Sequence, residues 1–74
     1  MDAAELMARI GARVRELRSR GGLSLADLAA DLDTSPNQML RIERGCNARL
    51  STLLRVAEAL EADLVVEFRP RGGR

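Results

Sequence analysis

The sequence predicts an all-α bundle of four helices followed by one short C-terminal β-strand. Apolar residues recur at spacings of three and four as far as Leu60, the mark of helices that bury one side. Serines at 24, 35 and 51 stand where helices should begin, and glycines at 21–22 and 45 where they should end. After Glu61 the spacing falls to two, over "DLVVEFR".

In the first helix, expected from about Ala4 to Arg20, the stripe Leu6, Ile10, Val14 and Leu17 should face the core. Ser24 opens the second as N-cap, with Asp27 three residues on in a variant of the capping box; Leu25, Leu28, Ala29 and Leu32 give its apolar side. Asp33 and Thr34 make the turn into the third. There Ser35 caps, Pro36 occupies the first helical position where its missing N–H costs nothing, and Gln38 completes the box. Gly45 stops that helix. A loop, "CNARL", leads to a fourth helix capped by Ser51, with Leu53, Val56, Ala57 and Leu60 inward. The strand, residues 63–69, sets Leu64, Val66 and Phe68 against Val65, Glu67 and Arg69. This divides the chain into a helical domain (1–62), the strand (63–69) and a disordered tail (70–74).

Composition narrows the function. With 74 residues, 46% hydrophobic and one aromatic, the core must be small and aliphatic. A single cysteine excludes an internal disulfide, and the absence of histidine argues against a Cys/His metal site and against activation of Cys46 as a nucleophile. No phosphate-binding glycine loop is present, so neither catalysis nor a cofactor is expected. Dimerisation remains as support for a chain this small. A lone strand has no partner among four helices, and the simplest remedy is the same strand from a second copy, running antiparallel about a two-fold axis. Leu64, Val65, Val66, Glu67 and Phe68 form that expected dimer strand. No signal peptide or membrane span is evident, which leads to an expected cytoplasmic location. The net charge of +1 does not itself indicate nucleic acid; all 12 basic residues are arginine, a bias that a GC-rich genome also produces.

The third helix carries the chemistry. Asn37, Leu40, Arg41 and Arg44 lie at i, i+3, i+4 and i+7 and form one face, while Met39 and Ile42 anchor the other. The short turn before it gives helix-turn-helix geometry. Here residues 10–61 resemble the Cro/repressor (XRE) family. The resemblance rests on "IGARVRELRSRGGLSLADLAADL", "SPNQMLRIERG" and "LSTLLRVAEALEA", and especially on Arg18, "GLS" at 22–24, Leu28-Ala29 and "RIERG" at 41–45.

That resemblance implies a lambda-repressor-like helical bundle whose third helix enters the major groove of double-stranded DNA. It places base reading on Pro36, Asn37 and Arg41, with Leu40 as an apolar contact; Asn37 would pair with an adenine edge and Arg41 with guanine. It places phosphate contacts on Arg44, Asn47, Arg49 and the main-chain amides that open the second helix. It also implies a buried structural pair between Arg18 and Glu43. Three positions depart from the pattern: Leu25 replaces a glutamine that braces the DNA backbone, Pro36 a polar base-reading residue, and Asp33 the turn glycine.

The strand after the fourth helix is similar to that of HipB-like proteins, antitoxins whose dimers repress their own operon and hold a kinase-like toxin. The expectation is therefore a homodimeric repressor of the antitoxin type, with such a toxin as candidate partner. Two alternatives stand beside it: a stand-alone phage or restriction–modification regulator, and a protein-interaction module that has lost DNA binding.

Overall fold

The computed structural model describes residues 1–72 and contains four helices: α1 (Ala3–Arg20), α2 (Leu25–Asp31), α3 (Pro36–Glu43) and α4 (Leu50–Ala59). Asp2 caps α1 by accepting from the Glu5 amide at 2.8 Å. Ser24 and Asp27 exchange both bonds of a capping box on α2, and Ser35 accepts from the Gln38 amide with Pro36 opening α3. The amide of Ser24 holds the Asp27 carboxyl below its ordinary range. The contribution of this box is thus complete above the ordinary carboxylate pKa and is lost only as pH falls through the depressed value. For α4 the expected cap is corrected. Its N-cap is Arg49, which makes no side-chain capping bond, and Ser51 already lies inside the first turn. The helix starts early because the Arg49 carbonyl accepts from the Leu53 amide at 3.0 Å.

All four helices end alike. In each, an amide five residues along bonds back past the last turn: Leu23 to Arg18, Thr34 to Ala29, Cys46 to Arg41 and Ala62 to Ala57. This ending places one residue in the left-handed region, and two of the four are not glycine. Asp33 has φ 53° and Glu61 has φ 54°. Asp33 is therefore equivalent to a turn glycine, and its short polar side chain makes that conformation accessible.

Leu28, Met39 and Val56 are fully enclosed at the centre of the core, joined by Met7, Val14, Ala29, Leu32, Ile42 and Leu53. The stripe expected on α1 is rotated. Leu6 is 47% exposed, Ile10 and Leu17 are half-buried, and the buried line runs through Met7, Gly11 and Val14. The cause is Gly11. A Cβ there would lie 2.3 Å from the Ile42 carbonyl oxygen and 2.7 Å from that of Glu43, so α1 rests directly on the C-terminal backbone of α3. One turn earlier, Gly45 faces Ala8 less tightly, its own missing Cβ 3.0 Å from the Ala8 Cα.

Beside that contact Arg18 grips Glu43 with two nearly parallel bonds, Nε to Oε2 at 2.6 Å and Nη2 to Oε1 at 3.1 Å. The side chains are only 15% and 4% exposed. Hydrogen bonding to the carboxylate raises the Arg18 pKa above its already high value. The other terminal nitrogen of Arg18 donates to the Leu23 carbonyl at 2.8 Å, and Arg55 of α4 donates to the Leu32 carbonyl at 2.7 Å. Helix α2 is thus held at both ends by arginines from its neighbours.

After Glu61 the chain runs on without helix or strand as far as Gly72; residues 73–74 of the expected tail lie outside the described residues. The expected strand at 63–69 does not form within a single chain, because no second strand is offered to it among the described residues. Leu64 packs against the core. Val66 and Phe68, expected beside it on the helices, are exposed here, Phe68 completely.

Two stability outcomes are expected. Gly11→Ala should gain helix propensity yet destabilise the fold by about 1–3 kcal/mol, since the added methyl meets backbone that has nowhere to move. A melting temperature equal to or above that of the parent chain would contradict the close approach. Glu43→Ala should destabilise by about 3 kcal/mol, because it strands a buried guanidinium. Replacing Arg18 and Glu43 together with apolar residues that fill the same space should recover much of the loss, as read by chemical denaturation.

Candidate nucleic-acid interface

Helix α3 has only eight residues, and its sides differ sharply. Met39 and Ile42 are buried, and Glu43 turns its carboxylate inward to Arg18. At about 100° per residue the opposite side belongs to Asn37, Arg41 and Arg44, all exposed. The helix is therefore an anchored edge with an amide and two guanidinium groups projecting outward. Its placement does not depend on those three side chains, which are outside the packing. Pro36 is exposed at the start of the same helix.

Leu40 is placed differently from its expected outward position. It is half-buried and lines a groove with Leu25, Arg18 and Glu43. One hundred degrees from Arg41, it looks sideways toward α1 and α2 rather than away from the bundle. Leu25 is also half-buried and packs against the core. The residue that stands where the family places a backbone-bracing glutamine thus contributes apolar contact instead.

The residues expected to approach phosphates lie in two places. Arg44 ends α3 as its C-cap, and Asn47 and Arg49 are exposed in the loop that follows. The Cys46 amide ties this loop to the Arg41 carbonyl at 2.9 Å, and Arg49 sits at the N-terminus of α4. Among the described residues Arg41, Arg44 and Arg49 form no ion pair. Elsewhere Arg13 and Arg20 pair with Glu16, and Arg69 pairs with Glu67. The exposed cations nearest the outward side of α3 are thus unneutralised, which is the condition for attracting a polyanion.

The start of α2 is the less favourable part. Its capping box uses the amides of Ser24 and Asp27 internally and sets the Asp27 carboxylate at the helix entrance. A carboxylate satisfies a helix N-terminus but does not welcome a phosphate. Two supporting features escape a reading of side-chain types, Gly11 and the arginine clamps on α2. Neither leaves a mark in apolar periodicity, since each acts through backbone carbonyls.

The dimer-strand residues stand apart from this surface. Leu64 borders an apolar groove between α1 and α4 with Ile10, Val14, Leu17, Leu53 and Leu60, whereas Val65, Val66, Glu67 and Phe68 extend into solvent. Among the described residues no helix is long and apolar enough to cross a membrane.

No curated protein matches this chain. A family model described as a helix-turn-helix domain matches residues 9–68, from the first helix through the segment after the fourth. With α2 and α3 joined by a four-residue turn, α3 anchored by its inner edge and its polar side open, the chain belongs to this Cro/XRE-like family of helix-turn-helix DNA-binding domains.

Proposed function

We propose that this protein is a sequence-specific transcriptional repressor that binds an inverted-repeat operator as a homodimer and serves as the DNA-binding antitoxin of a toxin–antitoxin operon. The observation that carries the DNA-binding part is the outward side of α3, where Asn37, Arg41 and Arg44 are exposed on a helix fixed by Gly11 and the Arg18–Glu43 pair. In this reading α3 lies in the major groove. Asn37 pairs with an adenine edge and Arg41 with guanine O6 and N7, while Pro36 and the edge of Leu40 make apolar contact. Arg44, Asn47 and Arg49 hold phosphates and set the register without reading sequence.

The dimer part is supported by Val65, Val66 and Phe68. A small chain that exposes three large apolar residues in one short segment has reason to cover them. Pairing of residues 63–69 with the same segment of a second copy would satisfy their backbone groups and hide these side chains. It would also set two recognition helices on one side of the dimer, about 34 Å apart, to meet successive major grooves. The antitoxin assignment rests on the similarity of this C-terminal segment to HipB-like proteins, and a kinase-like toxin is the partner it implies. A second reading, a protein-interaction module without DNA binding, draws on Leu25 packed inward and the Asp27 carboxylate at the entrance of α2.

Selection of bound sequences from random duplex DNA separates these readings. Recovery of an inverted repeat is the expected result, and no enrichment at all would favour the interaction module. With the selected duplex in hand, Arg41→Ala should cost about 1–3 kcal/mol and relax the preference at one base position per half-site. Arg49→Ala should weaken all sequences alike and flatten the salt dependence. An Arg41→Ala chain with unchanged affinity and preference would show that the reading surface lies elsewhere. Removal of residues 63–74 should give a largely monomeric protein with far weaker operator binding. Sedimentation of that truncated chain as an intact dimer would move the interface onto the helices.

A further inference from the structure

One charged side chain, Arg15, is used neither by the fold nor by the contacts assigned above. A groove of about 270 Å³ lies between α1 and the C-terminal half of α3, bordered by Arg15, Arg18, Leu25, Leu40, Glu43 and Arg44. Arg18 and Glu43 neutralise each other there, and Arg18 spends its third nitrogen on the Leu23 carbonyl. The remaining pair of guanidinium groups is different. Among the described residues neither Arg15 nor Arg44 has an ion pair or a side-chain hydrogen bond, and both are exposed. Arg15 follows Gly11 by four residues, so it shares the side of α1 that is pressed against α3. Two like charges on the walls of one groove repel until an anion lies between them.

We propose that Arg15 is a further DNA-contacting residue, which with Arg44 clamps one backbone phosphate of the bound duplex beside the base pairs met by α3. This rests on the DNA-binding reading above and adds α1 to its contact surface. The planar forks of two arginines suit a phosphodiester, whose paired free oxygens each accept from one guanidinium. The one acidic group that lines the groove, Glu43, is already engaged by Arg18. A clamp of this kind fixes register without reading sequence.

The test compares Arg15→Gln with Arg9→Gln, which removes the same charge from an exposed position about 200° around α1 from Gly11. Binding to a mixed-sequence duplex is followed by fluorescence anisotropy across a salt series, and base preference by selection from random duplex. For Arg15→Gln the slope of log affinity against log salt should fall by about 1, with roughly tenfold weaker binding near 0.1 M salt and unchanged base preference. Arg9→Gln should move neither, and both variants should melt with the parent chain. Equal behaviour of the two variants would overturn the clamp while leaving the parent's DNA binding intact. A changed base preference in Arg15→Gln would overturn the phosphate assignment. Absence of any salt-dependent duplex binding by the parent chain would overturn the DNA-binding reading and the clamp together.

Discussion

The bidentate bond between Arg18 and Glu43 is the constraint on which the other helices depend. It joins residues 25 positions apart and lies almost out of solvent, where neither charge is tolerable alone. Burial of this kind adds little net stability over an apolar pair of equal shape, but it admits few geometries. A guanidinium is a flat fork, and a carboxylate meets it well in one plane only. The orientation of α3 about its own axis is thereby set from α1, and the third bond of Arg18, to Leu23, positions the entry to α2. A sliding apolar contact would not impose the same alignment.

Around this pair the fold works with a small aliphatic core and compensates with backbone devices. The common helix ending lets four helices be joined by short turns. At Asp33 it does so, and at Glu61 it ends α4, in a conformation that disfavours most side chains by about 1–2 kcal/mol. Such strain persists only where surrounding packing over-determines the turn. The close approach at Gly11 serves the same end, bringing two helix axes nearer than any side chain would permit.

Much of this frame was legible in the sequence because it is written in local chemistry. Ser24 with Asp27, Ser35 with Pro36, and Gly45 each announce a helix boundary through a preference that operates within a few residues. Asp33 stood out only as a departure from the turn glycine of the resembling family, though its short polar side chain tolerates the left-handed region. What escaped was non-local or wordless in side-chain terms. Leu6 and Met7 are nearly equivalent as apolar residues, and only the seating of Gly11 on α3 decides that Met7 is the buried one. Ser51 looked like a cap because it is a serine, yet the helix begins two residues sooner, with Arg49 as its N-cap. Leu40 matched the outward pattern by spacing, while the third dimension turned it toward Leu25. The pairing of Arg18 with Glu43 came from the resemblance of motifs, since no spacing rule links residues so distant. The period-two pattern of Leu64 to Arg69 predicts a strand that the single chain does not form, since no second strand is offered to it among the described residues.

The seating of Gly11 on the Ile42 and Glu43 carbonyls also has an evolutionary meaning. A helix held by main-chain contact and an internal ion pair does not shift when its outer side chains are exchanged. Under the function proposed above, Asn37 and Arg41 are therefore free to vary as letters in a fixed frame, each replacement altering what is recognised without re-aiming the rest. Descendants of such a gene can part company in target through one or two substitutions and still fold alike. Duplicated regulators can thus become insulated from one another without first passing through an unstable intermediate.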